Sequence, residues 1–155
     1  MEDLNIDEFS DFVESKLEIN NKDDSLLTLK GHFLCEELLT SYIELLSLSP
    51  SYLGGSNLSF MHKLNFARAL SNEEINNSWH WDCMKKINSI RNKYAHLEKD
   101  KERIEKLKLN LVSSVTNNIK PTIFNAHGNA YKSSIRLTAT GMYSAFKWVR
   151  DNGTT

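Results

Sequence analysis

Two cysteines, two prolines and six glycines are all that the 155 residues hold of the types that staple, break or loosen a chain. Cys35 and Cys83 stand far apart in helix-like segments, and neither belongs to a Cys-x-x-Cys pair. Ligand pairs at short spacing are what a structural zinc site needs, so we expect two buried free thiols, no metal and no cofactor. No apolar run approaches the roughly 20 residues that cross a bilayer. The start, Met1-Glu2-Asp3-Leu4, is acidic where a signal peptide is basic and then apolar, which leads us to expect a cytoplasmic protein. Strand-like alternation is nearly absent, as are internal repeats, low-complexity tracts and linkers. At this length one domain over residues 1–155 can bury roughly two-thirds of its unfolded surface.

What is present is helical periodicity. Ile6, Phe9, Val13 and Leu17 recur at steps of three and four and predict a first helix, ending before Asn20-Asn21-Lys22-Asp23-Asp24. Leu27, Leu34, Leu38 and Leu45 fall close to one line on a wheel of 100° per residue and predict a central second helix. Pro50 and Gly54-Gly55 stop it. Phe60, Leu64 and Ala67 mark a third helix. Ser71-Asn72-Glu73-Glu74 has the Ser-x-x-Glu form of a capping box for a helix or a helical turn. A fourth helix is predicted from about Trp79 to Leu97, with Cys83, Ile87, Ile90, Tyr94 and Leu97 inward. A fifth carries Ile104, Leu107, Leu111 and Val115 and ends at Asn117, Asn118 and Pro121. A sixth follows Gly128 with Tyr131, Ile135, Met142, Phe146 and Val149, weakened by Thr138, Thr140 and Gly141. The expected fold is an all-α, compact bundle of five to six helices.

The net charge of −1 conceals two opposed segments. Residues 1–24 carry nine acids against Lys16 and Lys22, a net −7. Residues 85–108 carry nine bases against Glu98, Asp100, Glu102 and Glu105, a net +5. Two solvated faces account for this as well as a local anion-binding region does. The opposite signs also suggest that the acidic first helix covers the basic segment.

On the fourth helix, rotation away from Cys83 puts Trp81, Lys85, Asn88, Asn92 and His96 on the face opposite the core. Asn92 and His96, four apart, are within reach of each other, whereas Arg91 lies about 140° round from His96. Histidine titrates near neutral pH and can take a proton from a ribose 2′-hydroxyl. Arginine offers a planar cationic fork for phosphate. A two-fold dimer would bring two such histidines together, one as base and one as acid. An exposed histidine near a helix C-terminus also has a plain role, in the field of the helix dipole. His32, with Glu36 one turn on, either faces a cleft or packs, and we expect packing. His62-Lys63 either lines an RNA groove or is a solvated pair. Trp79-His80-Trp81 either stacks on bases or packs in a dimer interface. His127 has no evident partner.

Arg91-Asn92-Lys93-Tyr94-Ala95-His96 resembles the Arg-x4-6-His motif of the HEPN superfamily, with a polar residue directly after the arginine. Ile87-Asn88-Ser89-Ile90 and Leu58-Ser59-Phe60-Met61-His62-Lys63-Leu64 are also similar to members of that superfamily, including its mannitol-operon-repressor-like branch, so the likeness runs over about residues 30–97. The resemblance implies an all-α bundle that dimerises through the motif-bearing helices. In catalytic members the pair cuts RNA without metal, often in toxins or phage defence. On that basis Arg91, His96 and Asn92 are the expected catalytic residues, and Lys85, Asn88, Lys93, Trp81 and Lys63 the expected RNA contacts. Partners would be an RNA substrate, a second copy and an antitoxin or regulatory protein, with no membrane. The alternative within the superfamily is a non-catalytic regulatory module. HEPN toxins silenced by a nucleotidyltransferase carry a tyrosine two residues after the histidine. Glu98 stands there, which argues against adenylylation at that position.

Overall fold

The computed structural model describes residues 3–17, 23–53, 57–96, 101–120, 124 and 129–153. Leu97, Glu98, His127 and the expected stops at Gly54, Gly55, Pro121 and Gly128 lie outside them. Among the described residues the chain forms seven α-helices and no strand: α1 (Ile6–Leu17), α2 (Asp24–Leu46), α3 (Phe60–Leu70), α4 (Glu73–Asn76), α5 (His80–Ala95), α6 (Lys101–Thr116) and α7 (Ala130–Asn152). A 3-10 turn, Pro50–Leu53, follows α2. The count exceeds the expected five to six because the turn after Ser71 is a helix of its own.

Side chains start most of these helices. Asn5 accepts from the Glu8 amide at 2.9 Å while Glu8 accepts from the Asn5 amide at 2.8 Å, a reciprocal box that opens α1. Asp23 accepts from the amides of Ser25 and Leu26, and these bonds, with the Ser25 hydroxyl foremost, hold its carboxyl below the usual range. Asn72, one residue later than the sequence pattern suggested, caps α4 by accepting from the Ile75 amide at 3.0 Å. Ser71 instead ends α3, where its hydroxyl donates to the Ala67 carbonyl and meets the Tyr42 hydroxyl at 2.9 Å.

The two 23-residue helices, α2 and α7, form the centre. α2 packs on α7, α5 and α3, and α7 on α1, α6 and α5. α7 is buried along a continuous stretch from Tyr131 to Ala139, polar residues included. Two of its hydroxyls bond back to their own helix, Thr138 to the Ser134 carbonyl at 2.7 Å and Ser134 to that of Ala130 at 2.8 Å, whereas Ser133 Oγ is buried without a hydrogen bond. The acidic α1 packs on α7 and α2, and its Glu14 pairs with Lys132 and Arg136. The guess that it covers residues 85–108 is therefore corrected: its partners are cations on α7.

α2 and α7 come close at Gly31, where a Cβ would stand 2.2 Å from Ile135 Cγ2. Ile135 is wholly buried and β-branched, so the methyl has little room to swing aside. We therefore predict that Gly31→Ala destabilises the fold by about 1–3 kcal/mol, the cost of overpacking outweighing the better helix propensity of alanine. Urea unfolding checks this, and a variant as stable as the wild type would refute the close crossing.

Candidate functional site

α5 carries the motif, and its buried side is wider than a single stripe. Cys83, Ile87 and Ile90 are enclosed as expected, but so are His80, Trp81 and Met84. Tyr94 is half-buried. The helix is packed against α2, α3, α6 and α7, so more than one of its faces is covered. Trp81 shows the consequence. It is 1% exposed, its indole N–H donates to the Ile75 carbonyl at 2.7 Å, and its ring meets Tyr42 edge-on. The expectation that Trp81 faces RNA is thus corrected, since a ring already enclosed by its own chain has no face left for a base. His80, at 3% exposure, is likewise enclosed, which leaves the half-buried Trp79 as the accessible member of the trio.

The motif residues sit at the far end of α5. Arg91 is half-buried, with Nε enclosed and without a partner, and its Nη1 donates to Asn92 Oδ1 at 3.2 Å. His96 is the first residue past the helix, exposed, with φ −89° and ψ 14°, and its amide donates to the Asn92 carbonyl at 3.0 Å. The Asn92 side chain therefore serves Arg91, and the expected amide-to-imidazole contact with His96 is replaced by this bond. Lys85 and Lys93 are half-buried on the same helix. Among the described residues, no carboxylate forms an ion pair with Arg91.

The residues that meet Asn88, one turn before Arg91, come from elsewhere in the chain. His32 on α2 is 4% exposed and stacks on Phe60 of α3, centroids 4.4 Å apart, so the expectation that it packs holds. Its Nε2–H donates across to Asn88 Oδ1 at 3.0 Å, one turn before Arg91. Its other nitrogen, buried and without a hydrogen bond, lies 3.9 Å from Glu36 Oε2. Lys63 on α3 holds the other oxygen of Glu36 at 2.9 Å. Burial foremost lowers the His32 pKa, with the charges of Arg91 and Lys63 adding to it while Asn88 and Glu36 oppose. Asn88 and Lys63, expected as RNA contacts, are thus already engaged within the protein. Sequence alone carried one signal of this cluster: His32 and Glu36 interrupt the apolar residues of α2 at helical spacing.

The basic segment is less cationic in the fold than in the sequence. Lys86 pairs with Asp82, and Lys108, 9% exposed, pairs with Asp24 and with Glu105 while lying over the Tyr131 ring. Cys35 and Cys83 are buried free thiols, pushed up by desolvation to about 12 and about 11, so neither is a nucleophile at neutral pH. No helix among the described residues is long and apolar enough to cross a membrane. Fold and site together define an all-α bundle with an arginine-led polar cluster on α5. No family model, curated protein or solved structure matches the chain.

Proposed function

We propose that this chain is a metal-independent endoribonuclease of HEPN type that works as a homodimer. The observation that carries the reading is the pair Arg91 and His96 at the end of α5, the arginine without a carboxylate partner among the described residues and the histidine exposed. His96 takes the proton of a ribose 2′-hydroxyl, and the 2′-oxygen attacks the adjacent phosphorus. Arg91 stabilises the charge that builds on the phosphoryl oxygens. The bond to the 5′-oxygen breaks, and the leaving oxygen takes a proton from His96 of a second copy. The products are a 2′,3′-cyclic phosphate and a 5′-hydroxyl. The divergence of Arg91 and His96 on one chain supports the dimer, because a two-fold axis lets each arginine work with both histidines. Such an activity suits a toxin or phage-defence effector held in check by a protein partner.

Purified protein is expected to cleave single-stranded or transfer RNA in EDTA, and Arg91→Ala and His96→Ala to reduce the rate at least ~100-fold each. Equal cleavage by all three proteins would end this reading. The exposed Leu48, Tyr52, Phe66 and Leu70 favour a second one, a regulatory module of the mannitol-repressor-like kind that docks a protein on its α2–α3 side. In that case Arg91 only braces a dimer, and Arg91→Ala shifts dimer to monomer in sedimentation.

A further inference from the structure

Trp79, the accessible member of its trio, lines a cavity of about 610 Å³ at the start of α5, the end of that helix away from Arg91 and His96. That volume is ordinary for a small-molecule site. The lining comes from one side of α7, from α1, and from α4 with the turn into α5. Gly141 lets the Trp79 ring approach α7, since a Cβ there would stand 3.3 Å from Trp79 Cζ2. Trp148, 38% exposed, lies two turns on, about 10 Å further along the same side of α7. Between the two indoles α7 lines the cavity only with the small side chains of Ser144 and Ala145. A cation is attracted to an indole within about 6 Å of the ring centroid, so two indoles about 10 Å apart suit one cation held between them.

The charges of the cavity point the same way. Arg136 lines it but is already engaged, its Nη1 donating to the Ser10 hydroxyl and its Nε facing Glu14 at 3.6 Å. Burial keeps His80 neutral. Asp7 and Glu74 are exposed on the lining, and among the described residues neither pairs with a cation. Both stand in the first turn of a helix, where a carboxylate is favoured in any case, but that does not account for their meeting two indoles at one cavity. The Thr140 and Ser144 hydroxyls donate to carbonyls of their own helix at 3.0 and 2.9 Å. An anion therefore finds no free cation here. Among cations, one that binds water weakly and carries no N–H suits a lining that includes Ile6, Ile75 and Leu137.

We propose that this cavity binds a small quaternary ammonium compound, its head held between Trp79 and Trp148 and its charge met by Asp7 and Glu74. The site is independent of the nuclease reading and stands whether or not the chain cuts RNA.

The test is titration with choline and with its neutral carbon isostere, 3,3-dimethylbutan-1-ol, followed through the indole N–H resonances of the full chain. Choline should shift those of Trp79 and Trp148 and leave that of Trp81, which is enclosed and bonded to Ile75, in place. The isostere should bind at least about tenfold more weakly. Trp148→Leu changes an exposed side chain and should weaken choline about tenfold. Asp7→Asn with Glu74→Gln, both on the surface, should weaken choline by a similar factor and leave the isostere unchanged, with circular dichroism confirming the fold. Equal binding of choline and the isostere would show an apolar cavity without charge selection and overturn the proposal, as would shifts confined to other resonances or none at all. A trimethyl-lysine peptide that binds where choline does not would place the cation on a protein and overturn the small-molecule assignment.

Discussion

Glu14→Ala is expected to destabilise the protein by roughly 3 kcal/mol, the low end of what removing one partner of a buried ion pair costs. Glu14 Oε1 lies 2.6 Å from Lys132 Nζ and Oε2 3.6 Å from Arg136 Nε, one carboxylate from α1 facing two cations a turn apart on α7. The side chains of Lys132 and Arg136 are only 5% and 8% exposed, so water cannot replace the lost carboxylate without opening the helix pair. Arg136 keeps its bond to the Ser10 hydroxyl, and Glu14 is itself 16% exposed, which places the cost at the low end. Lys132→Met added to Glu14→Ala should recover part of the loss, because one of the two orphaned charges has then gone. Urea unfolding measures both. A single variant within about 0.5 kcal/mol of wild type, the range of ordinary surface changes, would show that α1 is not fastened by this triad.

The second large effect is on acid stability. His80 is 3% exposed, and burial foremost, helped by the charge of Arg68, pushes its pKa down from 6.5 to about 4. In the unfolded chain the imidazole takes up a proton near 6.5, whereas in the fold it resists until about 4. The unfolded state thus binds more protons between those values. The stability linked to neutral His80 is complete above 6.5 and is lost as the pH falls toward 4, a difference of about 3 kcal/mol at 1.36 kcal/mol per pKa unit. His32, also lowered, acts in the same direction. His80→Gln cannot titrate and should flatten the fall in unfolding free energy between pH 7 and 4.5. Parallel pH dependence in the two proteins would refute a buried neutral His80.

The helices were legible because their evidence is local. Ile6 to Leu17 and Phe60, Leu64 and Ala67 place apolar groups at helical spacing, and the structure has helices over those stretches. Where the reading slipped, the missing information was about neighbours. A wheel drawn from Cys83 assumes one buried side, but α5 is covered by four helices, and Trp81 goes inside with its N–H satisfied by Ile75. Asn92 lay within reach of both Arg91 and His96. That His96 terminates the helix, leaving the amide to Arg91, is a matter of how the helix ends.

For the candidate site the division is similar. The six residues from Arg91 to His96, their order and their divergence around one helix follow from sequence and from 100° per residue. That a buried imidazole is tied to α5 one turn before Arg91 is decided by His32, which bonds Asn88 from 56 positions earlier in the chain.

The sequence by itself determined the all-helical pattern and the spacing of the motif, because periodicity acts over three to five residues. Only the tertiary structure decided which charges meet. It joined Glu14 to Lys132 across 118 positions and His32 to Asn88 across 56, and it turned the acidic first helix toward α7 and away from the basic segment. Long-range pairs are selected by how helices of given shape pack at points such as Gly31 on Ile135, and no single helix encodes its neighbour's position.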